Sequence, residues 1–130
     1  MKRVVVTGLG LLTSIGNNKD DTWNNLLSCK SGIKKINHFD VEGLTCKIAG
    51  FISHEQNNNS NYYDRSIHLD LKEIKRNDRF IQYGIAAAKM AIEDSGIENL
   101  SEHEKLKVGV SVGSGIGGLE TIYEGSLTIN

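Results

Sequence analysis

The chain has 130 residues, 38% of them hydrophobic and 24% charged, with a formal net charge of −1. That length suits one soluble domain, and the balanced charge gives no global attraction to nucleic acid or to an anionic membrane. No apolar run of about 18 residues occurs, so no membrane insertion is expected; with two cysteines and no export signal, the cytoplasm is the expected compartment.

In chain order, residues 3–8 come first. Their consecutive Val4, Val5 and Val6 read as a strand buried on both faces, at the centre of a parallel or mixed sheet. Residues 11–18 lack helical periodicity and end in turn residues. A helix is expected over 19–28, capped by Asn18, with Trp23, Leu26 and Leu27 as its apolar face. Residues 33–39 and 47–52 read as short extended segments, a ribbon beside the main sheet. Residues 53–64, SHEQNNNSNYYD, are rich in Asn and read as an exposed loop.

Residues 69–76 form an amphipathic turn carrying Lys72, Lys75 and Arg76. The clearest helix follows over 78–95, with Asn77 as the expected cap. Phe80, Gly84, Ala87, Ala88 and Ala91 share one face, and Ile81, Ile85 and Ile92 lie beside it. Gly84 and the run Ala86-Ala87-Ala88 carry so little side chain that another backbone can pack close. Gly96 is placed to end this helix, and Ser101 with Glu104 has capping-box spacing.

The organising stretch is KVGVSVGSGIGGLE, residues 107–120. Val108, Val110 and Val112 alternate with small residues, and four glycines follow within six positions. A helix then runs from Gly118 to about Leu127, so the stretch reads strand, glycine turn, helix. Together with the similar VVVTGLG opening, it gives an α/β plan in which a helical crossover joins two strands. The last helix has no later element to cover its apolar face, as though the chain were cut off.

Several residues invite a chemical reading. Gly113-x-Gly115-x-x-Gly118 satisfies GxGxxG, but a dinucleotide site also needs an acidic residue about 20 positions later, where the sequence has stopped. A close-packing glycine turn is the favoured reading. Cys29 falls at a helix C-terminus, where the dipole disfavours a thiolate, and Cys46 has no helix N-terminus behind it. Both are expected to be structural. His38, His54, His68 and His103 show no metal-ligand spacing and are expected to be solvated. The basic cluster Lys72, Lys75, Arg76 and Arg79 is partly neutralised by Glu73 and Asp78. It suits either a solvated helix face or the docking of an acidic partner, and composition does not decide between them.

A resemblance adds to this. VVVTGLGLLTSIGNN, the TW…LL helix followed by SGI, HFD, NDRFIQYG, DSGI and VGSGIGGLE occur in the order found in the β-ketoacyl-[acyl-carrier-protein] synthase II family. These are condensing enzymes of the thiolase-like superfamily. The resemblance covers essentially the whole chain apart from the Asn-rich loop, and FIQYG with GSGIGGLE makes it specific. The sister synthase I typically lacks both strings; polyketide ketosynthases remain in view.

The resemblance implies a thiolase-like layered α/β/α architecture of two related halves. Residues 1–130 would be an incomplete N-terminal half, part of the synthase N-terminal domain, and the working form a homodimer. It implies elongation of a fatty acyl chain by decarboxylative Claisen condensation with malonyl-acyl carrier protein, with no cofactor and no metal. A cysteine carries the acyl thioester, two histidines assist decarboxylation and attack, and backbone N–H groups hold the oxyanion. In the family all of these lie beyond the matched segment, so no catalytic residue is assigned and the chain alone is expected to be inactive. The alternative is a non-catalytic module that binds acyl carrier protein. Two features carry over by position. Ile116 matches the isoleucine that lines the acyl pocket near the dimer interface. Lys72, Lys75 and Arg76 match a basic patch that docks the acidic carrier protein, with Lys75 and Arg76 exchanging basic types relative to the usual pattern.

Overall fold

The computed structural model describes residues 3–53 and 62–129, which fall into two units, Leu11–Asp64 and a second made of Met1–Gly10 with Arg65–Asn130.

In the unit Leu11–Asp64, helix α1 (Lys19–Leu27) begins where its cap predicts. The Asp21 N–H donates to the Asn18 side chain at 2.8 Å, satisfying one of the helix's unpaired donors. A tight turn precedes it: the Thr13 hydroxyl accepts the N–H of Gly16 at 3.0 Å and lies 3.2 Å from the hydroxyl of buried Thr22. The expected ribbon is β1 (Ile33–Lys35) antiparallel to β2 (Ile48–Gly50), with Lys34 opposite Ala49.

Two expectations fail in this unit. Trp23, Leu26 and Leu27 are exposed, because no described residue covers that face of α1, and Thr22 is its buried member. The flanks of the Asn-rich stretch are not exposed either. Ser53 and Tyr63 are buried, and the Tyr63 N–H donates to the Ser53 carbonyl at 3.0 Å. Residues 54–61, with His54, lie outside the described residues.

In the other unit, a 3₁₀ turn (Arg65–Ile67) leads into α2 (Leu71–Arg76) and α3 (Arg79–Ser95). A second 3₁₀ turn (Ile97–Asn99), α4 (Glu102–Lys105) and α5 (Leu119–Thr128) follow. The local signals hold: Gly96 closes α3 at φ 67°, and Ser101 with Glu104 forms the capping box of α4. The core is small, with Leu69 and Ala86 buried. Against it lies the backbone of residues 8–10. A Cβ on Gly8 would run into the carbonyl of Ala91, and one on Gly10 into the carbonyl of Ala87. The close approach to the alanine run is therefore real, but it uses Ala87 and Ala91; nothing lies within 4 Å of a Cβ built on Gly84. The Leu9 N–H donates to Asp94 at 3.0 Å, fixing the contact.

The layered sheet is not assembled among the described residues, whose only sheet is the two-stranded β1–β2 ribbon. Residues 3–10 and 107–114 run without strand pairing. Val4, Val5 and Val6 are 96, 65 and 80% exposed, and Val110 and Val112 are exposed as well. A strand exists only when another backbone completes its ladder, and none does so here.

Candidate functional site

The basic residues singled out from the sequence sit on α2, a helix of six residues. So short a helix does not persist on local propensity, and both of its ends are tied. At the N-terminus, Asp70 and Glu73 form a reciprocal capping box: the Glu73 N–H donates to Asp70 at 2.7 Å and the Asp70 N–H to Glu73 at 2.9 Å. At the C-terminus the Gln82 side chain arrives from α3. Its amide nitrogen donates to the carbonyls of Ile74 at 3.0 Å and Asn77 at 2.6 Å, and its oxygen accepts from Arg65 at 3.2 Å. Lys72, Lys75 and Arg76 have i, i+3, i+4 spacing on one side of this helix, and all three are exposed.

The corner between α2 and α3 faces the start of α5 across a cleft of about 280 Å³. Lys75, Arg76 and Arg79 line one wall, and Glu120, Thr121 and Glu124 the other. Asp78, not Asn77, is the N-cap of α3, because Asn77 closes α2. Yet the Asp78 carboxylate makes no cap bond. It accepts from the Thr121 hydroxyl and lies against Gly118, where a Cβ would collide with it. Arg79 pairs with Glu120 at 3.5 Å.

These contacts revise the electrostatics expected from the sequence. Glu73 and Asp78 form no ion pair with the basic cluster; one is engaged in capping and the other with Thr121. Glu120 neutralises Arg79 instead. Among the described residues Lys72, Lys75 and Arg76 form no ion pair, and all three are exposed, Lys75 and Arg76 across the cleft from Glu120 and Glu124.

The glycine turn meets this corner from the other side. Gly117 has φ 87° and rests near the Phe80 ring, and with Gly118 it lines a second cleft beside Asp78, Arg79 and Tyr83. Burial pushes the Tyr83 phenol upward, against the pull of Arg79 and Arg65. Gly113 and Gly115 meet nothing within 4 Å, so only the last two glycines of the motif are required by what surrounds them. A dinucleotide cradle does not fit. The preceding strand is unformed, and the Asp78 carboxylate occupies the start of α5, where a pyrophosphate would need positive potential. Ile116 lies at a bend, 74% exposed, and lines neither cleft.

The remaining candidates are scattered. Cys29 is exposed just past α1, at φ 53°, and exposed Cys46 donates to the Ile48 carbonyl at 3.3 Å. His38 packs edge-on to Phe39, with ring centroids 4.9 Å apart. His68 is not a simple solvated ring: burial and the neighbouring Lys89 push its pKa down, with Glu93 opposing. No cluster of metal-ligating side chains occurs among the described residues, and no described helix is long and apolar enough to cross a membrane.

Comparison with known proteins bears on the family and the fold. Residues 1–128 match the family model described as Beta-ketoacyl synthase, N-terminal domain. The chain is similar to proteins named 3-oxoacyl-[acyl-carrier-protein] synthase 2. One, from Vibrio cholerae serotype O1, is 42% identical over 95% of this chain and 28% of its own length. Another, from Coxiella burnetii, is 40% identical over 98% and 29%; a third, from Staphylococcus aureus strain COL, 43% over 92% and 27%. The chain thus spans under a third of these relatives. Among solved structures it resembles the ishigamide ketosynthase/chain length factor, with a TM-score of 0.57 and 29% identity over 77% of this chain and 22% of that one. The α/β, thiolase-like fold class expected from the sequence therefore stands, as a partial domain. By the match that runs through residues 1–128, the chain belongs to the β-ketoacyl synthase family.

Proposed function

We propose that the chain is the N-terminal part of a 3-oxoacyl-[acyl-carrier-protein] synthase II, a cytoplasmic, homodimeric acyltransferase of fatty-acid biosynthesis. The whole enzyme condenses an enzyme-bound acyl group with malonyl-acyl carrier protein, with loss of carbon dioxide. The share of that work falling to these residues is recognition. Lys72, Lys75 and Arg76 dock the acidic carrier protein, and Ile116 contributes to the acyl pocket where the subunits meet.

The observation that carries this reading is the charge state of α2. Three cations on one side of a helix tied at both ends form no ion pair among the described residues: Glu73, Asp78 and Glu120 are engaged elsewhere, and Glu124, across the cleft, pairs with none of them. A preset positive face of this kind accelerates and orients the approach of an acidic protein.

Titrating the chain with a bacterial acyl carrier protein at several salt concentrations tests the docking. Binding should weaken steeply with salt, and the Lys75→Glu/Arg76→Glu double variant should lose about tenfold or more at low salt. Salt-independent binding, or a double variant that binds like the parent, would sink the assignment. In a condensation assay with acyl- and malonyl-carrier protein the chain alone should give no turnover.

A further inference from the structure

Gln82 is 3% exposed, the one buried polar side chain of α3. Its chemistry is not that of a packing residue. The last four carbonyls of a helix have no partner within it, and α2 is closed by its C-cap Asn77, with α3 capped by the very next residue. The Gln82 amide meets that need from outside, donating one N–H to Ile74, inside the last turn of α2, and the other to Asn77, its C-cap. Its oxygen receives the Arg65 guanidinium. Only a primary amide supplies two donors and an acceptor from one flat group, and the three partners together fix which way it points.

We propose that Gln82 is a positioning residue for carrier-protein recognition: it holds the C-terminal turn of α2, and with it Lys75 and Arg76, in the orientation presented to the acidic partner. The assignment rests on the docking reading above and extends it to a side chain that never touches the partner. Lys75 and Arg76 are the last two residues of α2 and lie between the two carbonyls that Gln82 binds. If the turn frays, both charges remain but their directions scatter, and ordering them again costs binding free energy.

The test is carrier-protein binding by the full chain and its Gln82→Leu and Gln82→Glu variants, beside Lys75→Glu/Arg76→Glu, with amide hydrogen exchange followed in α2 and α3. Gln82→Leu keeps the volume and removes all three hydrogen bonds. Gln82→Glu keeps the acceptor for Arg65 and loses both donors. Both should bind acyl carrier protein about five- to tenfold more weakly, the cost of reordering a turn that has lost two or three hydrogen bonds. The salt slope of Gln82→Leu should match the parent's, since that change alters no charge, and in both variants the Asn77 amide should exchange faster while the α3 interior stays protected. The double charge variant should show the opposite signature, a shallower salt slope with parent-like exchange. Parent-like binding by Gln82→Glu, or unchanged Asn77 exchange in a folded Gln82 variant, overturns the assignment. If reversing Lys75 and Arg76 leaves binding intact, the docking reading falls, and faster Asn77 exchange in the Gln82 variants would still confine Gln82 to holding α2.

Discussion

The corner between α2 and α3 and the valine segments at 4–6 and 108–112 are opposite cases of one chain. At the corner, polar groups find partners nearby: Asp70 and Glu73 are three positions apart, and Gln82 reaches Ile74 across eight. The valines are as strongly patterned as any residues here, yet Val4 stays 96% exposed and no ladder forms among the described residues. The difference lies in where the partner resides. A cap or an amide clamp closes within one stretch of chain, whereas a buried strand depends on backbones distant in sequence. Hence a corner built on helix ends forms in a chain spanning under a third of its relatives, while no ladder forms around the valines among the described residues.

The contrast can be broken most forcefully at the one place where the valine-bearing segment is anchored. Gly10→Ala puts a methyl into the Ala87 carbonyl. It should destabilise the chain on the order of 3 kcal/mol, read as a lower midpoint in urea. A loss under about 1 kcal/mol would show that residues 8–10 do not pack on α3 as described. At the corner, Asp70→Ala removes the acceptor of the capping box and should cost about 1 kcal/mol. Hydrogen exchange should place the effect in α2, and unchanged exchange there would mean that Gln82 holds the helix unaided.

A smaller effect is expected on acidification. Below its usual 6.5 in the folded chain, the His68 pKa is held down by burial and by Lys89. The unfolded ring therefore takes up its proton first as pH falls. Stability present above about pH 6.5 drains as pH drops toward the folded value, and His68→Gln should flatten that part of the profile. A parent-like slope in the variant would assign the pH dependence to other groups. Least of all, Val5→Thr or Val110→Thr should shift stability by no more than about 0.5 kcal/mol, because those side chains already face water. A cost near that of a core substitution would mean that the valines are covered in solution.

What could be read from the sequence follows the same division. Asn18, Gly96 and the Ser101–Glu104 pair act within one helical turn, and each lies where the sequence puts it. The basic helix was legible from charge spacing, and the family from strings such as NDRFIQYG and VGSGIGGLE. Asn77 misleads because two helices meet there: it fits an N-cap by residue type but serves as the C-cap of α2, leaving Asp78 to start α3. Glu73 and Asp78 look like ion-pair partners by spacing, but one turns back to its own cap and the other reaches Thr121. Gln82 passes unnoticed as a polar residue of an amphipathic helix. The signal that could have found it is its i, i+4 relation to Ala86, which places an amide on the most buried line of α3.

The bond from Thr121 to Asp78 joins residues 43 apart in sequence. Closing a loop of that size is costly once, but the cost grows only with the logarithm of its length. Ten residues added at Gly109, where nothing lies within 4 Å of a Cβ, would raise it by only about 0.2 kcal/mol. A reporter loop inserted there should leave the hold of Asp78 on α5 intact, giving a site for a label or an epitope some distance along the chain from α2.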